Sequence, residues 1–177
     1  MSGPTARPRI GVVGVGHLGR HHARLFGELD CDLVAVADPD GKARAFAEGT
    51  YGVKAHADYR ELEGQVDAVS VVVPTKLHRE VGTFFLERGV DVLVEKPIAR
   101  TVEDGQALVE AARAHDRVLQ VGHVERFNPA LEGIAEIGKS ARYIESQRLA
   151  PFSFRSTDIG VVLDLMIHDL DIILAVL

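Results

Sequence analysis

Cysteine is almost absent from this chain, since Cys31 is the only one among 177 residues. A single cysteine excludes a disulfide bond within the chain and is typical of a protein from a reducing compartment. The first eight residues contain no apolar run of the kind that a secretory signal peptide needs. We therefore expect a cytoplasmic protein, with Cys31 as a small buried side chain at the start of an apolar strand.

The sequence also lacks an uninterrupted apolar run at its C-terminal end, and it lacks an excess of positive charge. Residues 159–177 form a long apolar stretch, but four ionisable residues interrupt it: Asp164, His168, Asp169 and Asp171. Such side chains are costly inside a bilayer, so we expect no membrane span. The formal net charge of −6 predicts no general binding to nucleic acid.

Glycine, by contrast, is placed in an informative pattern near the N-terminus. An apolar segment, residues 9–13, runs directly into Gly14, Gly16 and Gly19 in the sequence GVGHLG. In this pattern the first glycine permits a tight turn, the second lets the backbone approach a pyrophosphate, and the third lets a helix pack closely on the strand. The first N–H groups of that helix then point at the phosphates. The pattern predicts a dinucleotide site, although a tight turn without a ligand is the alternative.

An acidic residue follows the glycines at the spacing that a dinucleotide site requires. Asp38 ends the second apolar strand, 19 residues after Gly19. The carboxylate that accepts the ribose hydroxyls is expected about 20 residues after the glycines. Its negative charge repels the 2′-phosphate that distinguishes NADP from NAD. Lys42 and Arg44 offset part of that charge, and we predict NAD as the cofactor, with NADP less favoured.

Strand-like and helix-like segments alternate along the first two thirds of the chain. The predicted strands cover residues 9–13, 33–38, 52–55, 68–73, 91–94 and 118–121, and a predicted helix follows each of the first five. This alternation predicts an α/β fold, in which helices cover both faces of a doubly wound parallel sheet of the Rossmann type. We assign residues 1–122 to this NAD(P)-binding domain.

The pattern changes after residue 122. The remaining residues predict a helix over 128–137, a strand over 141–149, a loop over 151–158 and a helix from about Val161. One strand with two helices cannot enclose a core, because a strand needs partners. Residues 123–177 are therefore interpreted as the beginning of a truncated α+β substrate domain.

Lys96 lies just after the carboxyl end of a predicted strand, where the ligands of open parallel sheets bind. A lysine at that edge can donate a proton or a hydrogen bond to an alcohol or carbonyl oxygen near a nicotinamide ring. A solvated lysine in front of Pro97 is the alternative interpretation.

The closing helix carries the second candidate group. Asp164 and His168 are four residues apart and Asp171 lies one turn further on, so the three share a helix face. A histidine held by a neighbouring carboxylate is a good general base at neutral pH. A core histidine with satisfied hydrogen bonds is the alternative. We expect no metal, because too few ligands are at hand.

Further candidates follow the ends of two other strands. Pro74 and Thr75 come after the central strand, His78 begins the next helix, and His123 follows the last strand. Each of them either contacts a cofactor or substrate or belongs to an ordinary loop. His17 is expected beside the pyrophosphate, and the surface is expected to hold His21, His22, His56 and His115.

Together, the motifs GVGHLG, Asp38, VVVPTKLH, VEKP and the D-x-x-x-H spacing in LDLMIHD resemble the glucose-fructose oxidoreductase / inositol dehydrogenase (Gfo/Idh/MocA) family. The resemblance implies NAD(P)-dependent oxidation or reduction at a sugar or polyol carbon. It implies that Lys96 is the catalytic lysine, Asp164 the helix carboxylate and His168 the acid/base histidine. We expect cofactor contacts at Gly14, Gly16, His17, Leu18, Gly19, Asp38, Pro74, Thr75, His78, Glu95 and Lys96.

The stretches VGHVERFNPA and RLAPFSFRS look most like the branch that oxidises the 3-hydroxyl of UDP-N-acetylglucosamine-type sugars. Arg148 and Arg155 would then either meet a diphosphate or remain surface charges. Members of the family continue far beyond the D-x-x-x-H helix, which implies that this chain is C-terminally short. We expect a homo-oligomer or another polypeptide to cover an exposed apolar side of the last helix, formed by Leu165, Ile172, Ile173 and Val176.

Three functions therefore stay open at this stage. The first is an NAD-dependent sugar dehydrogenase, in which His168 takes the hydroxyl proton and Lys96 stabilises the charge that develops on oxygen. The second is a non-catalytic NAD-binding module without a complete substrate site. The third is a structural fragment that needs a partner subunit.

Overall fold

The fold is organised around one sheet. A computed structural model describes residues 7–131, 133, 140–149 and 160–176 of the chain. Within them the strands are β1 (Arg9–Val13), β2 (Asp32–Ala37), β3 (Lys54–His56), β4 (Ala68–Val71), β5 (Asp91–Glu95) and β6 (Leu119–Gly122). They lie in the order β3-β2-β1-β4-β5-β6, and every neighbouring pair is parallel. The order reverses between β1 and β4, which confirms the predicted doubly wound Rossmann sheet.

Helices cover both faces of this sheet. The described helices are α1 (His17–Glu28), α2 (Gly41–Tyr51), α3 (His78–Leu86), α4 (Val102–Ala114) and α5 (Ile167–Val176). One apolar core lies on the side of α3 and α4 and includes Val71, Phe85 and Leu108. A smaller core lies on the side of α1 and α2, around Val12 and Val36. The strands are apolar on both faces because both faces are covered.

Local signals set the ends of two helices where the sequence places them. The side chain of Thr101 accepts a hydrogen bond from the backbone N–H of Asp104 at 3.2 Å, which caps the first turn of α4. The side chain of Asp40 caps α2 through the N–H of Lys42 at 3.0 Å. At the other end of α2, Gly52 adopts the left-handed conformation that terminates a helix, with φ of 66°.

The prediction of a strand over residues 141–149 is wrong. These residues are described without regular secondary structure, and their side chains are exposed. A strand forms only where a neighbouring strand pairs with it, and none of the described strands lies beside this segment. The predicted helix over 128–137 is described only as a 3₁₀ turn at Pro129–Leu131, and most of its remainder lies outside the described residues, as does the predicted loop over 151–158 with Arg155.

The helix predicted from about Val161 is present, but it begins irregularly. Val162–Met166 form a π-helical turn that continues into α5. The exposed apolar side differs from the prediction, because Leu165, Ile172 and Ile173 are partly buried; the side chain of Val176 lies outside the described part of the structure. The exposed apolar side chains of this segment are Val161, Val162, Met166, Leu170 and Leu174. In the described part of the chain, no helix is long and apolar enough to cross a membrane.

Candidate active site

The glycine loop has the geometry that each glycine was predicted to provide. Gly14 has φ of +86°, and a Cβ atom there would lie 2.3 Å from the carbonyl oxygen of Val72. A Cβ atom on Gly19 would lie 1.8 Å from the carbonyl oxygen of Gly14, so α1 can pack on the loop only through glycine. Gly16 has open space around it, with nothing within 4 Å of a Cβ atom. Room for a ligand therefore exists where a pyrophosphate was predicted.

The first turn of α1 is available to an anion. Gly16 is the N-cap of this helix and offers no side chain to bond the first N–H groups. His17 and Leu18 follow it and are both exposed. Free N–H groups at the start of a helix of this length, together with its dipole, favour a phosphate.

Asp38 lies directly beside the glycine loop. Its Oδ2 atom accepts the N–H of Val15 at 2.8 Å, and its Oδ1 atom accepts the N–H of Asp40 at 2.8 Å. The guanidinium of Arg44 donates to the carbonyl oxygens of Asp38 and Pro39 at 2.8 and 2.9 Å. The carboxylate is thus fixed at the end of β2, and each oxygen keeps a lone pair for a further donor.

Lys96 and Asp164 are brought together from distant parts of the sequence. The Nζ atom of Lys96 donates to Oδ1 and to the backbone oxygen of Asp164, both at 2.9 Å. Both side chains are largely buried, with 18% and 28% of their surfaces exposed. The structure therefore places the candidate lysine at the carboxyl end of β5, against the start of the closing helix.

His168 lies within electrostatic range of that pair. Its pKa is lowered, first by burial and then by the positive charges of Lys96 and Arg148. The buried Nδ1 atom of His168 has no hydrogen-bond partner among the described residues. A lowered pKa keeps the imidazole neutral, which is the form that accepts a proton.

The prediction that Asp164 holds His168 is wrong, because the Asp164 carboxylate bonds Lys96 instead. The partner of Asp164 is distant in the sequence: Lys96 lies 68 residues earlier and reaches Asp164 from the end of β5. Helical spacing within one element therefore does not decide which group this carboxylate bonds.

Two ion pairs fix α5 against the segments that precede it. Arg126 bonds both carboxylate oxygens of Asp171, with Nε at 3.1 Å from Oδ2. Arg148 bonds Asp169 at 3.0 to 3.2 Å. In both cases the hydrogen bonds from the guanidinium lower the pKa of the aspartate. Both aspartates lie within three residues after His168, so these pairs anchor the turn of α5 that bears the imidazole.

We expect Arg126→Met to lower the free energy of unfolding by about 1 kcal/mol at neutral pH, since Asp171 is buried but Arg126 is half exposed and screened. Folding lowers the pKa of Asp171. The ion pair therefore contributes fully to the free energy of unfolding above the pKa of the unfolded state, and this contribution disappears as the pH falls through the pKa of the folded state. Urea unfolding at neutral and acidic pH measures this. Arg113→Met, at an exposed position of α4, is the control. If both variants lost the same free energy of unfolding at both pH values, the prediction would be contradicted.

His78 connects the loops that follow β4 and β5. It is 1% exposed, and its Nδ1 and Nε2 atoms lie 3.0 and 2.9 Å from the carbonyl oxygens of Pro97 and Val73. Pro74 precedes a short 3₁₀ turn, Thr75–Leu77, in which Thr75 is buried. His78 thus joins the loop of Pro74 and Thr75 to the loop that contains Lys96. Direct contacts from His78, Pro74 or Thr75 to a cofactor stay predictions.

Two histidines expected at the surface lie inside the protein. His56 is 4% exposed and bonds Glu61 through Nδ1 at 3.0 Å. His22 bonds Ser70 at 2.8 Å and lies 3.3 Å from Glu95. Ser70 was the available signal, because a lone hydroxyl in an apolar buried strand needs a partner. Across the described ranges, no group of three or more His, Cys, Asp or Glu residues is placed to hold a metal ion.

The sequence of this chain is similar to those of known proteins. A family model described as "Oxidoreductase family, NAD-binding Rossmann fold" matches residues 8–123. UDP-N-acetylglucosamine 3-dehydrogenase from Acidithiobacillus ferrooxidans is 41% identical over 167 residues, which cover 94% of this chain and 53% of that protein. This chain therefore spans about half the length of the curated relative.

Solved structures are similar to this fold as well. UDP-N-acetylglucosamine 3-dehydrogenase GnnA from Acidithiobacillus ferrooxidans has a TM-score of 0.88 at 40% identity, over 97% of this chain and 57% of that chain. The WlbA dehydrogenase from Bordetella pertussis, in complex with NADH and UDP-GlcNAcA, has a TM-score of 0.71 at 26% identity. That match covers 77% of this chain and 43% of the other.

Proposed function

Because this chain belongs to the Gfo/Idh/MocA family of oxidoreductases with an NAD-binding Rossmann fold, we propose that it oxidises a hydroxyl group of a sugar, nucleotide sugar or polyol by hydride transfer to NAD. The observation that carries the proposal is the hydrogen-bonded Lys96–Asp164 pair at the carboxyl edge of the sheet, with His168 close enough for the positive charge of Lys96 to lower the pKa of its imidazole. Ligands of such sheets bind at that edge.

The residues of the glycine loop fit the proposed cofactor. Open space at Gly16 and the uncapped first turn of α1 suit a pyrophosphate, and Asp38 suits the adenosine ribose. The bound nicotinamide would accept a hydride from the substrate carbon, and the hydride would carry two electrons with it. The side chain of Glu95 is only 13% exposed and lies against His22. Little of its surface is therefore available for the predicted contact with the cofactor.

The side chains divide the remaining chemistry between them. The neutral imidazole of His168 accepts the proton that the substrate hydroxyl loses. The ammonium group of Lys96 stabilises the negative charge that develops on the same oxygen. Asp164 holds this ammonium group at the edge of the sheet by accepting two hydrogen bonds from it, one at the carboxylate and one at the backbone oxygen.

We favour nucleotide sugars as the substrate class. The specific reaction that we propose is oxidation of the 3-hydroxyl group of UDP-N-acetylglucosamine. The support is the 41% identity with UDP-N-acetylglucosamine 3-dehydrogenase across 94% of this chain. Arg148 is committed to Asp169, so a diphosphate would have to share its guanidinium. The homo-oligomer, the cytoplasmic location and the domain boundary after residue 122 stay predictions.

The proposed preference for NAD over NADP rests on Asp38. We expect the protein to bind NADH at least about tenfold more tightly than NADPH, because the carboxylate repels a 2′-phosphate. Asp38→Asn keeps an oxygen that can accept the N–H of Val15 and removes the charge, so this preference should shrink. Fluorescence titration measures both affinities. Asp30→Asn, at an exposed loop position, should change neither, and an unaltered preference in Asp38→Asn contradicts the assignment.

The proposed function as a whole is tested by two measurements on the same sample. NADH binding is followed by nicotinamide fluorescence, and turnover is followed by the absorbance of reduced nicotinamide with UDP-N-acetylglucosamine or myo-inositol as substrate. Binding with turnover supports the dehydrogenase. Binding without turnover favours a non-catalytic NAD-binding module, and failure to bind NADH contradicts both functions.

A further inference from the structure

A chain of buried polar side chains crosses the interface between α1 and the sheet. The Nδ1 atom of His22 lies 2.8 Å from Oγ of Ser70 in β4, and its Nε2 atom lies 3.3 Å from Oε1 of Glu95 in β5. Ser70 is fully buried, and the side chains of His22 and Glu95 are 16% and 13% exposed. Neither of these two contacts was predicted, and the proposed chemistry uses neither of them.

The donors and acceptors of this chain are complementary. A carboxylate oxygen presents only lone pairs, so a proton on the Nε2 atom of His22 makes its 3.3 Å contact with Oε1 of Glu95 attractive. With that proton on Nε2, the Nδ1 atom of a neutral ring can accept the hydroxyl proton of Ser70. One tautomer therefore suits both contacts of the ring.

The chain of polar contacts continues to the candidate lysine through two hydrogen bonds. The second carboxylate oxygen of Glu95 accepts the backbone N–H of Lys96 at 3.2 Å, and the Nζ atom of Lys96 bonds Asp164. From the other side, β6 confines the carboxylate, because a Cβ atom on Gly122 would lie 2.6 Å from Oε1 of Glu95. Glu95 is thus held between His22 and the backbone of Gly122.

We propose that His22 is a positioning residue for Lys96. By fixing the Glu95 carboxylate, it fixes the backbone of Lys96 and, through it, the placement of the ammonium group on Asp164. It also joins α1, whose first turn would bind the cofactor phosphates, to the strand end that bears the lysine. This inference rests on the proposed function, which gives Lys96 its chemical role.

Acylation of Lys96 provides a direct test, since an amine that is held on a carboxylate reacts slowly. The protein without cofactor is treated with a limiting amount of an amine-reactive ester, and peptide mass spectrometry gives the labelling of Lys96 relative to the exposed Lys42. In His22→Leu we expect this ratio to rise by about threefold or more, because the Glu95 carboxylate loses the imidazole N–H group that faces it at 3.3 Å. His22→Gln, whose amide can donate to Glu95, should restore the ratio toward that of the unmodified sequence.

His21→Leu is the matched control, because His21 precedes His22 in the same helix and is exposed. It should leave the Lys96 ratio unchanged. Thermal melting is recorded for every variant. A lower melting temperature in His22→Leu with an unchanged Lys96 ratio would mean that His22 only packs, and would overturn the proposal.

Gly122→Ala perturbs the same contact without altering His22 or Glu95. The added methyl group must displace the Glu95 carboxylate, so the Lys96 ratio should rise as it does in His22→Leu. If both substitutions act through Glu95, the double variant should show less than the product of the two single increases. If His22→Leu does not fold, Gly122→Ala provides the test. A folded Gly122→Ala variant with the same Lys96 labelling ratio as the unmodified sequence would overturn the proposal.

The labelling comparison needs no cofactor, so it can fail separately from the proposed function. A protein that does not bind NADH would contradict the proposed function, whatever the Lys96 ratio shows. Conversely, a protein that binds NADH but has the same Lys96 ratio in His22→Leu and His21→Leu would leave the proposed function standing and remove His22 from it.

Discussion

Replacement of Lys96 by methionine is expected to lower turnover by about 1,000-fold and to leave the affinity for NADH within about twofold. Methionine keeps much of the length and apolar volume of lysine but lacks the ammonium group that bonds Asp164 at 2.9 Å. The variant loses the charge that stabilises the developing alkoxide, whereas the glycine loop and Asp38 are untouched. Turnover with UDP-N-acetylglucosamine and NADH titration are measured on the same preparation.

Lys54→Met is the control for this prediction, because Lys54 is exposed at the start of β3 and lies outside the candidate site. It should preserve both turnover and binding. If Lys96→Met lost NADH affinity and turnover together, the lysine would be supporting the nucleotide site rather than the chemistry, and its assigned role would be wrong.

The second large effect is expected from Gly19→Ala, which should lower NADH affinity by about 100-fold or more and destabilise the fold by several kcal/mol, roughly as an overpacked core does. A Cβ atom at this position would lie 1.8 Å from the carbonyl oxygen of Gly14, and that oxygen belongs to the backbone of the turn. Relief of the contact requires α1 to move away from β1, which displaces the N–H groups that face the pyrophosphate. NADH titration and thermal melting measure the two consequences.

Two other glycines separate the effect on the fold from the effect on the ligand. Nothing lies within 4 Å of a Cβ atom at Gly16 or at Gly27, so alanine is tolerated at both positions. Gly27→Ala should leave NADH binding unchanged and stabilise α1 by about 1 kcal/mol. Gly16→Ala should keep the melting temperature but weaken NADH binding, because its methyl group enters the space assigned to the pyrophosphate. Normal NADH binding by Gly16→Ala would place the cofactor elsewhere.

The sheet and the glycine loop were predictable because local sequence carries their physics. The apolar strands, the turn at Gly14 and the cap at Thr101 each depend on residues close together in the chain. The parallel direction of the strands follows from alternation, since parallel strands need crossover helices. These parts of the structure therefore agree with the expectations at the level of whole elements.

Three of the failures involve contacts between segments that are distant in sequence. The segment 141–149 has an alternating pattern but no described strand to pair with. Lys96 and Asp164 are 68 residues apart, and the Asp164 carboxylate that was expected to bond His168 bonds Lys96 instead. His22 and Ser70 are 48 residues apart, and the sequence around a helical histidine does not indicate which distant hydroxyl group it bonds. Tertiary packing decides such partners, and helical spacing alone does not.

The most direct test of this account is a crystal structure of the protein with NADH bound. We predict that the pyrophosphate lies on the first turn of α1 beside Gly16, and that the nicotinamide ring lies between the ammonium group of Lys96 and the imidazole of His168. A complex in which the ring is remote from both side chains, or in which the two side chains lie on opposite sides of the protein, would contradict the proposed redox function.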